Sequence, residues 1–208
     1  DAIDKRHEMI AQTRDRLSVD GSLAKAMNNH IYYGLHRNEK GSWIFREWAP
    51  NATKIYIIGE FNNWKRTEAY ALRPIGGGNW EIELPSMFLD HGTLYKLYIE
   101  WKGGGAERLP AYLTRAVQDP VTKTFCAQVW DPATKYEWKN AAPGKRPHPL
   151  IYECHIGMAA EEEKVGTFEE FRLNVLPKVA ELGYDTLQIM ALQEHPYYGS
   201  FGYQVANF

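Results

Sequence analysis

The sequence has few cysteines, no long apolar run and no excess of either charge. Its 208 residues include two cysteines, Cys126 and Cys154, which are too few for the disulfide framework of a small secreted domain. Both cysteines lie in apolar, strand-like stretches without metal-ligand spacing. We therefore expect two buried free thiols in a reducing cytoplasm, and no metal site.

The missing apolar and basic segments exclude further classes of protein. No stretch approaches the apolar length that crosses a membrane, and residues 1–8 (DAIDKRHE) are too charged for a signal peptide. The formal net charge is −2 and no basic block is present, so nucleic acid is not an expected partner. The glycine runs join strand to strand rather than strand to helix, which argues against a phosphate-binding loop. We therefore expect that the protein has neither a membrane nor a nucleic acid as a partner, and that it binds no cofactor.

What the sequence does contain is aromatic and strand-like. Aromatic residues make up 13% of the chain, which favours a carbohydrate- or protein-binding surface, although buried rings in a small β domain give the same share. Residues 1–30 are predicted to be mainly helical, with a thin apolar stripe at Ile3, Ile10 and Leu17. In residues 31–138, β-branched and aromatic residues alternate in short segments between turn signals. These segments predict an immunoglobulin-like antiparallel β-sandwich with strands at residues 43–48, 54–61, 80–84, 94–101 and 124–129.

A different pattern follows a proline-rich linker at residues 139–149. Residues 150–156 and 186–192 are predicted strands, apolar on both faces. Between them, Thr167 opens a helix with a capping box, Pro177 is expected to kink it and Gly183 to end it. Strand, helix and strand of this kind form a βαβ unit of a parallel sheet. Because one such unit cannot bury its own faces, we expect further strands in a larger enzyme.

The stretch from Glu194 onward (EHPYYGSFGYQVANF) concentrates aromatic rings, glycines and hydrogen-bonding side chains. A sugar ring stacks its C–H face on an aromatic surface, while its hydroxyl groups need fixed donors and acceptors. This composition predicts one wall of a sugar-binding site.

These segments carry a resemblance to known families. Residues 45–50 (FREWAP), 59–64 (GEFNNW), 79–83 (NWEIE) and 95–98 (YKLY) resemble carbohydrate-binding module family forty-eight. Residues 151–158 (IYECHIGM) and 194–204 (EHPYYGSFGYQ) resemble the opening of the catalytic barrel in the 1,4-α-glucan (glycogen) branching enzymes of glycoside hydrolase family thirteen, in their eukaryotic-type branch. The resemblance covers essentially the whole chain, more loosely before Ile31.

The resemblance implies a (β/α)8 barrel, of which residues 150–208 supply only the first βαβ unit. It also implies retaining transglycosylation, in which a carboxylate nucleophile forms a covalent glycosyl-enzyme and a glucan 6-hydroxyl accepts the chain. The family's catalytic carboxylates belong to later barrel strands, so no residue here is nominated as catalytic. The fragment is expected to be inactive alone and at most a weak binder of α-1,4-glucan or glycogen, with the rest of the barrel as its other partner.

The same resemblance nominates substrate-binding residues. Tyr203 matches a tyrosine that stacks under the sugar ring at the cleavage point, and Tyr198, His195 and Gln193 are its neighbours in the loop. An alternative is that this loop packs internally. In the module, Trp64 matches an α-glucan-stacking position, and Lys96 and Trp101 match a hydrogen-bonding lysine and a second aromatic. The alternative there is a module that only braces the barrel. Three other tryptophans are predicted to lie in the core: Trp48, Trp80 and Trp130.

Two other functions stay open from the sequence alone. One is a glucan-binding protein without a barrel, and the other is an α-glucan debranching enzyme, which also carries this module. The terminal EHPYYGSFGY run favours branching, and the lone βαβ unit argues against a complete binding protein. A Cys154–His155 catalytic pair is not expected, because adjacent strand residues point to opposite faces. His155 is interpreted as a structural histidine.

Overall fold

A computed structural model describes residues 1–207 of the chain. The chain divides into two compact units, the first spanning Asp1–Pro132 and the second beginning at Ala133. Each unit has its own apolar core.

Three helices open the first unit: α1 (Ala2–Leu17), α2 (Leu23–Ala26) and α3 (Asn29–Tyr32). Asp1 caps α1, because its side chain accepts a hydrogen bond from the Ile3 amide and the Asp4 carboxylate completes a capping box. The predicted stripe of Ile3, Ile10 and Leu17 is present on this helix, and all three side chains are exposed.

Two antiparallel sheets follow the helices. The first sheet has the order β1 (Gly34–Arg37), β2 (Trp43–Trp48), β5 (Asn79–Leu84), β4 (Arg73–Gly76). The second has the order β3 (Ala52–Gly59), β6 (Leu94–Trp101), β9 (Phe125–Gln128), β8 (Ala116–Gln118), and β7 (Gly104–Arg108) also pairs with β6. The antiparallel β-sheet fold predicted from the sequence is therefore confirmed.

The core lies between the two sheets because alternate residues of each strand point inward. Trp43 and Phe45 of β2 meet Ile55 and Ile57 of β3 and Leu97 of β6 in one buried cluster. The opposite face of the second sheet, which carries Lys96 of β6, is called the outer face below.

The predicted bounds were right for β2 and β6 and within two residues for β3, β5 and β9. Four strands were missed: β1, β4, β7 and β8. They are three to five residues long, too short to show alternation. Gly104 and Gly105 look like part of a turn in the sequence, but both residues pair with β6 as the start of β7.

The second unit contains one parallel strand pair. No helix or strand occurs within residues 129–150, all of which the structure describes. Strand β10 (Ile151–His155) then pairs in parallel with β11 (Thr186–Met190). Cys154, Ile156 and Phe171 form the centre of a small core.

The helical connection between β10 and β11 is interrupted near Pro177. It runs as α4 (Phe168–Glu170), a π-helical turn (Phe171–Val175) and α5 (Leu176–Glu181). Pro177 has no amide hydrogen for the helical ladder, and the wider turn directly before it is how the irregularity is accommodated. The capping box at Thr167 and the end at Gly183, which has φ +88°, are as predicted.

Candidate functional site

Trp64 lies in a tight turn directly after β3. Asn63 and Trp64 both have left-handed backbone conformations, with φ of +52° and +58°, which cost energy for residues other than glycine. The buried Asn62 side chain holds the turn by accepting from the Gly59 amide (3.0 Å) and donating to the Ile57 carbonyl (3.1 Å). The strained turn leaves the Trp64 indole 38% exposed.

Lys96 is the polar group next to this ring. It lies on the outer face of β6, between the buried residues Tyr95 and Leu97. Its Nζ atom is 5.9 Å from the centre of the Trp64 ring and 2.8 Å from a Glu107 carboxylate oxygen on β7. The structure thus brings together two of the three module residues nominated from the sequence.

Trp101 is placed elsewhere. It is five residues after Lys96 on the same regular strand, and an odd spacing puts it on the opposite face of the sheet. Its ring is exposed and lies 5.5 Å from the Arg108 guanidinium. Trp101 therefore does not join Trp64 and Lys96 in one cluster.

The prediction that Trp48, Trp80 and Trp130 lie in the core was right for Trp80 and wrong for Trp48 and Trp130. Trp48 is 56% exposed and Trp130 is 44% exposed. In β2 the inward residues are Trp43, Phe45 and Glu47, so Trp48 points outward by strand alternation. Counting in steps of two from Trp43 would have identified Trp48 as exposed.

Next to Trp48 lies a buried carboxylate. Glu47 occupies an inward position at the end of β2 and accepts hydrogen bonds from the Trp48 and Ala111 amides, both at 3.0 Å. Burial raises the pKa of the Glu47 carboxyl above its ordinary value, and these two amide bonds oppose that rise only in part. Glu47 joins β2 to the segment that leads into β8.

In the second unit, all four nominated residues follow the carboxyl end of β11. His195 Nδ1 lies 2.9 Å from the Gln193 carbonyl oxygen, while the Gln193 side chain is exposed. Tyr203 is 82% exposed, so its side chain is largely open to solvent. Tyr198 is more covered, because its ring lies edge-on to His155 at 5.9 Å.

His155 is the unexpected member of this region. It ends β10, and Phe201 also lies edge-on to it, at 6.2 Å. Among the described residues, neither ring nitrogen of His155 has a hydrogen-bond partner, although both are buried. Gly157 allows the close approach of this loop, since a Cβ atom there would lie 2.8 Å from the Tyr198 hydroxyl oxygen. The carboxyl ends of parallel strands lie at one edge of a sheet, and this rule could have linked His155 with the terminal loop.

The sequence of this chain is similar to those of known proteins. Residues 32–120 match Carbohydrate-binding module 48 (Isoamylase N-terminal domain). A 1,4-alpha-glucan-branching enzyme of Yarrowia lipolytica is 37% identical over 98% of this chain, and one of Dictyostelium discoideum is 36% identical over 100% of it. Over nearly its whole length, the chain is therefore similar to 1,4-alpha-glucan-branching enzymes. It spans 31% of the length of each of these two relatives.

Solved structures add a likeness at the level of the fold. The pullulanase SAP of Group B Streptococcus, in complex with maltotetraose, has a TM-score of 0.60 and 20% sequence identity, covering 79% of this chain and 24% of that one. At this identity the likeness concerns the fold alone.

Two other kinds of site are absent from the described residues. No group of three or more His, Cys, Asp or Glu side chains is arranged to hold a metal ion. No helix within residues 1–207 is both long and apolar enough to cross a membrane.

Proposed function

We propose that this chain is the N-terminal part of a glycogen branching enzyme and that its first unit binds α-1,4-glucan. The whole enzyme would cleave an α-1,4-glucan and transfer the released chain to a 6-hydroxyl group by retaining transglycosylation. The observation that carries the binding proposal is the exposed Trp64 ring beside the Lys96 ammonium group. The division proposed is a helical segment (1–30), a carbohydrate-binding module (31–138), a linker (139–149) and the start of a barrel (150–208).

The binding chemistry follows from the two side chains. The Trp64 ring offers an apolar face for the C–H groups of a glucose ring, and the Asn62 hydrogen bonds hold the backbone turn that carries it. The Lys96 ammonium group offers donors to sugar hydroxyl oxygens. We propose that Trp101 contacts the glucan separately, where the glucan passes around the end of the sandwich.

For the second unit we propose the first βαβ segment of a (β/α)8 barrel. A parallel pair with a helical connection between its strands supports this, because such a pair needs further strands and helices on its faces. Tyr203 would stack under a glucose ring at one wall of the cleft, with Tyr198, His195 and Gln193 beside it. Two free cysteines support a reducing compartment such as the cytoplasm.

Calorimetric titration with maltoheptaose tests the binding proposal. We expect wild type to bind weakly and Trp64→Ala to lose about tenfold in affinity, equivalent to about 1.4 kcal/mol. Trp138→Ala is the matched control, because Trp138 is also an exposed tryptophan but lies in the segment without helix or strand. Equal affinities of wild type and Trp64→Ala, or no heat from wild type, would contradict the proposal.

An amylose-branching assay tests whether this chain is catalytic by itself. The purified chain is expected to give no shift of the iodine–amylose spectrum and no new α-1,6 linkages, since no catalytic carboxylate is assigned within it. New linkages formed by this chain alone would overturn the proposal of a non-catalytic part. Loss of α-1,6 linkages from a branched glucan would instead favour a debranching enzyme.

A further inference from the structure

Trp130 lies on the same outer face as Trp64 and Lys96. In and after β9, Ala127 and Val129 are fully buried in the core. The Val129 amide donates a hydrogen bond to the Thr93 carbonyl (2.9 Å). The alternation of inward and outward side chains therefore continues past the end of β9. Residue 130 therefore points to the outer face, as residues 126 and 128 do.

The strand register fixes where Trp130 lies relative to Lys96. Tyr95 pairs with Ala127 and Leu94 with Gln128, which puts Lys96 beside Cys126 and Trp130 level with Gly92. Trp130 is therefore displaced from Lys96 by four residues along the strand direction, which is roughly 13 Å. It is also displaced sideways by one strand spacing, which is about 4.8 Å. A short maltooligosaccharide can span this distance.

The surroundings of Trp130 hold its ring in place. The Arg115 guanidinium lies 4.3 Å from the ring centre, and the His91 ring lies edge-on at 4.7 Å. His91 is itself fixed, because its Nδ1 atom accepts a hydrogen bond from the Asp131 amide (3.1 Å). The indole nevertheless remains 44% exposed. An immobilised, exposed ring with an arginine beside it combines a stacking surface with hydrogen-bond donors.

We propose that Trp130 is a second stacking platform for α-glucan and that one glucan chain lies across the outer face from Trp64 and Lys96 to Trp130 and Arg115. This inference rests on the proposed binding function of the first unit and adds the direction in which the bound glucan lies on the outer face. A ligand too short to reach both rings uses the Trp64 end alone. Affinity should then rise with chain length, because the second ring binds a ligand that the first already holds.

A titration with two ligands tests the proposal. Maltotriose and maltoheptaose are titrated into wild type, Trp64→Ala, Trp130→Ala, Trp130→Phe and the Trp138→Ala control. We expect Trp130→Ala to weaken maltoheptaose binding about fivefold and to leave maltotriose within about twofold of wild type. Trp130→Phe keeps an aromatic face and should recover most of the loss. Trp64→Ala should weaken both ligands.

The alternative outcomes are distinct. If Trp130→Ala binds both ligands as wild type does while Trp64→Ala does not, the second platform is wrong and the proposed function stands. If Trp130→Ala weakens both ligands equally, Trp130 only supports the Trp64 site and the second platform is again wrong. If wild type binds neither ligand, both proposals are wrong. Unchanged maltotriose affinity in Trp130→Ala also shows that this variant is folded.

Discussion

The Lys96 ammonium nitrogen lies 5.9 Å from the centre of the Trp64 ring, although the two residues are far apart in the sequence. The register of β3 and β6, in which Ile58 faces Lys96, creates this proximity, because Trp64 turns back over the end of β3. The Lys96 side chain is only 15% exposed and pairs with Glu107. The ammonium group is thus already held in place before any sugar arrives.

Replacing Lys96 should weaken glucan binding without unfolding the first unit. Lys96→Met keeps the aliphatic stem and removes the donors, so we expect about a tenfold loss of maltoheptaose affinity, the value of one hydrogen bond to a charged group. Lys40→Met, at an exposed turn position, is the matched control. Calorimetry checks affinity, and a thermal melt checks the fold. Wild-type affinity in Lys96→Met would show that the lysine does not contact the sugar.

The buried Glu47 carboxyl should make the stability of the first unit depend on pH. Burial raises its pKa in the folded state, so the folded chain binds this proton more tightly than the unfolded chain. The contribution of Glu47 is therefore largest below the ordinary carboxyl value of 4.5 and is lost as the pH rises through the raised value. We expect the free energy of unfolding of wild type, relative to Glu47→Gln, to fall across this interval.

Urea unfolding at a series of pH values, followed by tryptophan fluorescence, measures this difference. The Glu39→Gln variant, which replaces an exposed carboxylate, is the control. A constant difference between wild type and Glu47→Gln at all pH values would contradict the raised pKa.

The strands were predictable from the sequence where the alternation of inward and outward residues extends over six or more positions. The candidate site was predictable only in part. Strands β2 and β6 have six and eight residues, enough to show their period. Strand β4 contains Pro74 and lies at a sheet edge, and β7 begins with two glycines, so both look like turns in sequence. The sequence motifs nominated Trp64 and Lys96, but only the strand register shows that the two residues lie close together.

The opposite orientation of Trp101 was within reach of the sequence, because five residues separate it from Lys96 on one predicted strand. The exposure of Trp130 could not be predicted from the sequence. It depends on Val129 continuing the pairing beyond the end of β9, and on Arg115 and His91, which reach the ring from other parts of the chain.

His155 should tolerate an apolar ring better than a small side chain. Because its two buried ring nitrogens have no hydrogen-bond partner within the described residues, His155→Phe removes polar atoms that contribute no bond. We expect the melting temperature to stay the same or rise. His155→Ala should instead lose about 1 kcal/mol or more of stability, since it empties the space between Tyr198 and Phe201.

Thermal melts, with hydrogen exchange of the β10 amides as the local probe, distinguish these variants. Equal destabilisation by phenylalanine and alanine would mean that a His155 nitrogen does have a partner in solution.

The most direct test of the central claim is an NMR titration of the seven tryptophan indole N–H resonances with maltoheptaose. Trp43 and Trp80 are internal references, because their buried indoles donate to the Leu89 and Ala49 carbonyls. The Trp64 resonance, assigned with Trp64→Phe, should shift and saturate with the calorimetric dissociation constant while these two stay fixed. A Trp64 resonance that does not move at saturating sugar would contradict α-glucan binding at this ring.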